Sequence, residues 1–221
     1  MSTDVDHCAV HTASLLLLIV SLQVIAANCS VAAEAGTRAA NTALCESCHG
    51  ANGEGDPEAG VPVLAGQSAD YLEKQLRDYE NGTRDNPIMR NFAKGLSDSE
   101  RAQLSRYYAS LPAPGPHAVQ VAAVDQRQWA RGQQLAHQGA EAERVQGCNN
   151  CHGPDGSGLP HSAPYLAGQS AKYLANALKS WQQGTRKNDS GQLMVSVAKQ
   201  LSADDIAAVS DYFSSLKVAK N

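Results

Sequence analysis

Two stretches of this chain have residue types and spacing that could do chemistry. They are Cys45-Glu46-Ser47-Cys48-His49 and Cys148-Asn149-Asn150-Cys151-His152. Two thiols separated by two residues serve as a redox dithiol, as half of a zinc site, or as attachment points for a haem. A histidine directly after the second thiol selects the haem. In that use the thiols reach the two vinyl groups along one porphyrin edge, and the histidine becomes the proximal iron ligand. A thioredoxin-like dithiol would want a βαβ setting, which the pattern lacks. A zinc site would have to draw ligands from motifs 103 residues apart.

A sixth iron ligand follows from an inventory. Beyond Met1 the chain has two methionines, Met89 and Met194, which stand 40 and 42 residues after His49 and His152. Matched positions after matched motifs favour ligation over ordinary core packing, and His/Met ligation raises a haem's potential and closes its coordination sphere. His117, His137 and His161 have no counterpart in the other half and read as solvated surface. The carbonyls of Pro62 and Pro164 stand where they could orient the imidazoles, although both prolines could equally be turn formers. Arg84 and Arg186 suit haem propionates, with helix-end capping as the alternative. Tyr71, Tyr79, Tyr173 and Trp181 read as haem-pocket or core packing in preference to redox relays.

The elements that must position these groups also occur twice. After each motif come a Gly-rich loop, then Leu-Ala-Gly-Gln-Ser-Ala (64–69 and 166–171) and Gly-Thr-Arg (82–84 and 184–186). The offset between copies is 103 at the cysteines, 102 at Leu-Ala-Gly-Gln and 105 at the methionines, as expected of two homologous modules. Ser68 and Ser170 read as N-caps of helices with apolar residues at helical spacing, the first ending at Gly82. Ser97-Asp98-Ser99-Glu100 is a capping box opening a helix with Leu104, Tyr107, Tyr108 and Leu111 on one stripe. Ser202 to Asp205 opens its counterpart with Ile206, Val209, Phe213 and Leu216. A short helix over 34–44 should lead into the first motif, and a longer one over 126–139 into the second. Met89 is expected in a loop after Pro87, and Met194 in a longer, wetter loop containing Gly191. No stretch reads as a strand, so the fold class is all-α: a tandem duplication.

Residues 1–33 read as a signal peptide, because Leu15 to Ala27 is an apolar run of 13 residues, too short to span a bilayer. The absence of Lys and Arg from residues 1–14 is unusual for a leader, and an uncleaved anchor or lipidation at Cys29 are the alternatives. Cleavage after Ala33 would remove Cys8 and Cys29, leaving only the four motif cysteines. The domains are then 34–111 and 126–221, joined by a stiff Pro-rich linker over 112–125. A net charge of −4 without basic clusters argues against nucleic acid.

The doubled set Cys-x-x-Cys-His, Pro-x-Leu-Ala-Gly-Gln, Gly-Thr-Arg, Met and Leu-Ser-x-x-(Asp/Glu) resembles the dihaem cytochrome c4 family over essentially the whole chain after the leader. The resemblance implies two class I cytochrome c domains in a pseudo-twofold arrangement, with two covalently attached haem c groups near the junction. Cys45, Cys48, Cys148 and Cys151 would hold them, with His49, Met89, His152 and Met194 on the irons. It also implies a periplasmic electron carrier, often membrane-associated, working between respiratory-chain donors and a terminal oxidase or reductase. Partners would be redox proteins such as a membrane-bound oxidase or cytochrome complex. Two six-coordinate irons leave no substrate position, so the chain is expected not to be an enzyme and to take no small-molecule substrate. The alternative is the dihaem electron-accepting subunit of a dehydrogenase complex, such as one resembling flavocytochrome c sulfide dehydrogenase. The unequal loops before Met89 and Met194 lead us to expect two distinct potentials, the N-terminal haem the higher.

Overall fold

A computed structural model describes residues 42–113, 125–142, 144–159, 161 and 163–217. The leader, residues 34–41, most of the linker and His117 lie outside these residues. The expected all-α class is observed: among the described residues there are only isolated β-bridges and no strand.

The first module opens with a helix over 42–49 (α1), followed by α2 (Ala69–Asn81), α3 (Pro87–Lys94) and α4 (Asp98–Ser110). Ser68 caps α2, its Oγ accepting from Tyr71 N–H at 3.2 Å, and Gly82 ends it in the left-handed region at φ 80°. A non-glycine residue is disfavoured at that φ, which is why the helix stops there. Ser97 and Glu100 form the expected capping box on α4. A cap of this kind contributes about 1 kcal/mol.

The second module repeats the plan with α5 (Gln126–His137), α6 (Asn149–His152), α7 (Ala171–Gln183), α8 (Leu193–Gln200) and α9 (Ala203–Ser215). Ser170 and Gly184 bound α7 as Ser68 and Gly82 bound α2, and Ser202 with Asp205 boxes α9. Helices α5 and α9 cross so closely at Gly132 that a Cβ there would lie 2.2 Å from the Ala208 carbonyl oxygen. Around that crossing Leu135, Ile206, Val209, Tyr212 and Phe213 form a buried core.

Four expectations need correction. The first motif is itself helical, within α1. The second opening helix stops at His137, before Gly139. Met89 lies in α3, not in a loop, because Pro87 sits in the first turn, where its missing N–H costs nothing, and the Asn86 side chain caps the helix. Met194 likewise lies in α8, after a 3₁₀ turn over Ser190–Gln192.

The modules meet directly, and their contacts obey the repeat offset. Gln67 Nε2 donates to Tyr165 O at 3.3 Å, while Tyr165 N–H donates to Gln67 Oε1 at 3.1 Å. Its equivalent Gln169 donates to Val63 O at 3.1 Å and accepts from Val63 N–H at 2.9 Å. Asp85 N–H donates to Thr185 O (2.9 Å) and Lys187 N–H to Thr83 O (2.7 Å). Each pair maps onto the other by exchanging the modules, so the junction has a local pseudo-twofold axis.

Candidate haem sites

In each module the imidazole of the motif is buried and held by a proline carbonyl. His49 Nδ1 lies 3.0 Å from Pro62 O, and His152 Nδ1 lies 2.8 Å from Pro164 O. A carbonyl only accepts, so Nδ1 carries the proton and Nε2 keeps the lone pair a metal needs. Burial lowers the pKa of both imidazoles below the ordinary value, against the raising effect of the proline carbonyls, and the Arg186 charge adds to the lowering at His152. Both rings are therefore neutral at pH 7, as ligation requires.

Cys45 and Cys148 are half-buried and Cys48 and Cys151 exposed, and none of the four is in a disulfide. Burial raises the Cys45 thiol, and pushes Cys148 up to about 11. Met89 and Met194 are both half-buried, each on the first turn of its own helix and apart from the motif that carries the imidazole.

Arg84 and Arg186 do not cap helices. Both are buried and turn toward the junction, where their backbones form an antiparallel bridge. Arg84 donates to Gln75 Oε1 (2.8 Å) and, across the junction, to Tyr173 Oη (2.9 Å). Arg186 donates to the same Gln75 oxygen (3.0 Å), to Asn188 Oδ1 (3.1 Å) and, across the junction, to Tyr71 Oη (3.2 Å). Each guanidinium also lies over an aromatic ring of its own module, Tyr79 at 4.5 Å or Trp181 at 4.2 Å. Burial alone would raise the Tyr173 phenol, but the two guanidiniums outweigh it and hold it at about 8. Burial pushes Tyr79 up to about 12, against the pull of Arg84.

Among the described residues neither guanidinium is paired with a carboxylate. Two buried cations sharing a neutral amide oxygen call for anions. Two thiols, a neutral imidazole with a committed Nδ1, a thioether and a buried guanidinium per module fit a haem c with its propionates.

The lone histidines behave differently from one another. His137 is not simply solvated surface, since its Nε2 lies 2.9 Å from Tyr212 Oη. His161 is exposed, yet its ring pairs with the Asp70 carboxylate of the first module. The residues that sequence reasoning missed are Gln67, Gln169, Gln75 and Asn188. The first two carried a signal, being identical in both copies of Leu-Ala-Gly-Gln. Gln75 carried none, because its equivalent is Ala177.

Comparison with known proteins agrees with this construction. The cytochrome c family model matches residues 33–112 and again 129–217. A thiosulfate dehydrogenase electron acceptor of Stutzerimonas stutzeri (strain A1501) is 43% identical over 174 residues, 78% of this chain and 78% of that protein. Cytochrome c4 of Pseudomonas aeruginosa is 37% identical over 187 residues, 84% of this chain and 90% of that one. Among solved structures, reduced cytochrome c4 from Pseudomonas stutzeri superposes with a TM-score of 0.74 at 31% identity, covering 82% of this chain and 97% of that chain. The thiosulfate dehydrogenase of Marichromatium purpuratum gives 0.72 at 37% identity over 79% of this chain. This chain spans only 36% of the length of that structure's chain. The enzyme named among these relatives is thus a thiosulfate dehydrogenase, in place of the sulfide dehydrogenase considered from sequence. With two tandem family matches, two candidate donor sets and cytochrome c4 relatives along most of its length, the chain belongs to the cytochrome c family as a dihaem cytochrome of the c4 type.

Proposed function

We propose that the chain is an exported, non-catalytic electron carrier. The observation that carries this reading is the repeated commitment of His49 and His152 to the Pro62 and Pro164 carbonyls, one per module. Haem c supplies a one-electron iron couple in each module. Cys45 with Cys48, and Cys148 with Cys151, hold the porphyrins by adding their S–H groups across the vinyl bonds. His49 and Met89 would hold the iron in domain 34–111, and His152 and Met194 in domain 126–221. The proline carbonyls fix the imidazole planes, and Arg84 and Arg186 offer their charge to the propionates at the junction.

Iron held by a histidine and a methionine in each module would leave no site for a substrate, so the partners would be redox proteins. The compartment is the periplasm, where c-type haems are attached. The first test is optical. Two haems per chain and a near-infrared sulfur-to-iron band that falls by about half in Met89→Ala and in Met194→Ala support the reading. Rapid cyanide binding at both ferric haems of the unaltered protein would overturn it.

A second reading concerns the donor. The name of the Stutzerimonas stutzeri relative and the Marichromatium purpuratum structure favour a thiosulfate dehydrogenase as the protein that reduces this chain. Mixing the purified carrier with such an enzyme and thiosulfate should reduce both haems. A rate no faster than with thiosulfate alone would remove this donor while leaving the carrier function intact.

A further inference from the structure

The modules differ most in how they hold the methionine segments. Asn86 and Asn188 are equivalent positions, 102 residues apart. Asn86 caps its own helix, Oδ1 accepting from Met89 N–H at 3.0 Å. Asn188 instead is held largely by the other module. Its Nδ2 donates to Gln75 Oε1 (2.9 Å) and Asp78 Oδ2 (2.6 Å), and its carbonyl accepts from Lys74 Nζ (2.6 Å).

Lys74 and Gln75 each stand one turn before Asp78 on α2, and Lys74 also pairs with Asp78. The equivalent positions in α7 are Asn176, Ala177 and Ser180, and there the Ser180 hydroxyl turns back to the Asn176 carbonyl at 2.7 Å. The second module therefore offers the first no matching clasp.

The local structure of the Met194 segment explains why it needs one. It reaches α8 through Gly191 at φ 66° and Gln192 at φ 56°, and Gln192 caps nothing with its side chain. A non-glycine residue in the left-handed region is strained. Asp189 accepts from Val195 N–H at 3.2 Å, the segment's own side-chain bond to the helix start.

We propose that Lys74, Gln75 and Asp78 form a positioning site that fixes the Met194 segment through Asn188. The sixth-ligand side of the second haem then depends on side chains of the first module, while the Met89 segment is capped by its own Asn86. Beyond the reciprocal backbone bonds of the junction, this side-chain coupling runs one way. This inference rests on Met194 being an iron ligand.

The test uses the full-length, haem-loaded protein. Asn188→Ala should speed cyanide binding at the second ferric haem by about tenfold, the usual scale for losing a group that orients a ligand. It should also weaken that haem's part of the sulfur-to-iron band and speed hydrogen exchange at the Val195 amide. The first haem, read separately in a Met194→Ala background, should stay unchanged. Asp78→Ala, a change in the other module, should act in the same direction on the second haem alone. If Met194→Ala opens the second haem but Asn188→Ala and Asp78→Ala leave its cyanide rate unaltered, the positioning site is refuted and the ligand assignment stands. Equal acceleration at both haems would refute the one-way dependence. If Met194→Ala itself leaves the band and the rate unchanged, the ligand assignment fails and the inference falls with it.

Discussion

Arg84 and Arg186, 102 residues apart, pair as an antiparallel bridge at the junction and bring two buried guanidiniums onto a single oxygen of Gln75. Each then reaches over to a tyrosine of the opposite module. Concentrated positive charge at the junction would stabilise the ferrous form of a haem near it, because reduction lowers the positive charge at the iron. Arg84→Met should therefore lower the reduction potentials. At an effective dielectric near 20 and roughly 10 Å, the change is on the order of 1–2 kcal/mol of redox free energy. Optical potentiometry would show it, and unchanged or raised potentials would contradict the electrostatic role.

Gln67 and Gln169 hold the modules together through backbone groups that have few alternatives once buried. Gln67→Ala strands both the N–H and the C=O of Tyr165, at about 2–6 kcal/mol for two unsatisfied buried groups. Gln169→Ala does the same to Val63. The pseudo-twofold relation predicts similar losses for the two variants. The double variant should lose less than their sum, since an opened junction lets water satisfy the same groups. Denaturant titration of the single and double variants measures this. Losses within about 0.5 kcal/mol of zero would mean that the glutamines do not hold the junction.

Most of the fold was legible because its signals are local and occur twice. Ser68, Ser97, Ser170 and Ser202 each announce a helix start, and Gly82 announces an end, through chemistry contained within four or five residues. Pro87 misled because proline marks both loops and first turns, and the cap that decides between them is Asn86, whose role shows only with the helix in place. The candidate donor residues stood out as types at a spacing. The junction was legible only in part: Gln67 recurs as Gln169, but the groups that Gln67, Gln75 and Asn188 act on lie about 100 residues away. Neither periodicity nor a short motif carries information over that distance.

Acid should loosen the second module through Asp205. Its carboxylate accepts from Arg131 Nε at 2.7 Å, tying α9 to α5, and also completes the Ser202 cap. The Arg131 hydrogen bond, with help from Ser202 and against a smaller opposing effect of burial, holds its pKa below the ordinary value. A depressed folded value means the stabilisation is fully present above the unfolded pKa, about 3.9. It is lost as pH falls through the folded value. Stability should thus owe no slope to Asp205 between pH 7 and 5, and decline below about 4. Asp205→Asn should lose about 1 kcal/mol at neutral pH and show a shallower acid limb. An identical acid limb would show that other carboxylates control it.

The final prediction concerns inequality between the two haems. Arg84 and Arg186 converge on one oxygen, so their charges act on both halves in a similar way and do not by themselves separate the potentials. The methionine segments differ more. Met89 follows Pro87 in the first turn of a helix whose cap, Asn86, is its own. Met194 follows two left-handed residues and lacks a side-chain cap from position 192. Thioether sulfur favours ferrous iron, so the segment that keeps its sulfur in place with less strain should carry the higher potential. We therefore expect two resolvable one-electron waves, the higher belonging to the N-terminal haem. Loss of the Asn188 clasp should move only the lower wave, further down. Titration of Met89→Ala and Met194→Ala beside the unaltered protein assigns each wave to its haem. A single potential fitting both sites would show that the strain at Gln192 never reaches the iron.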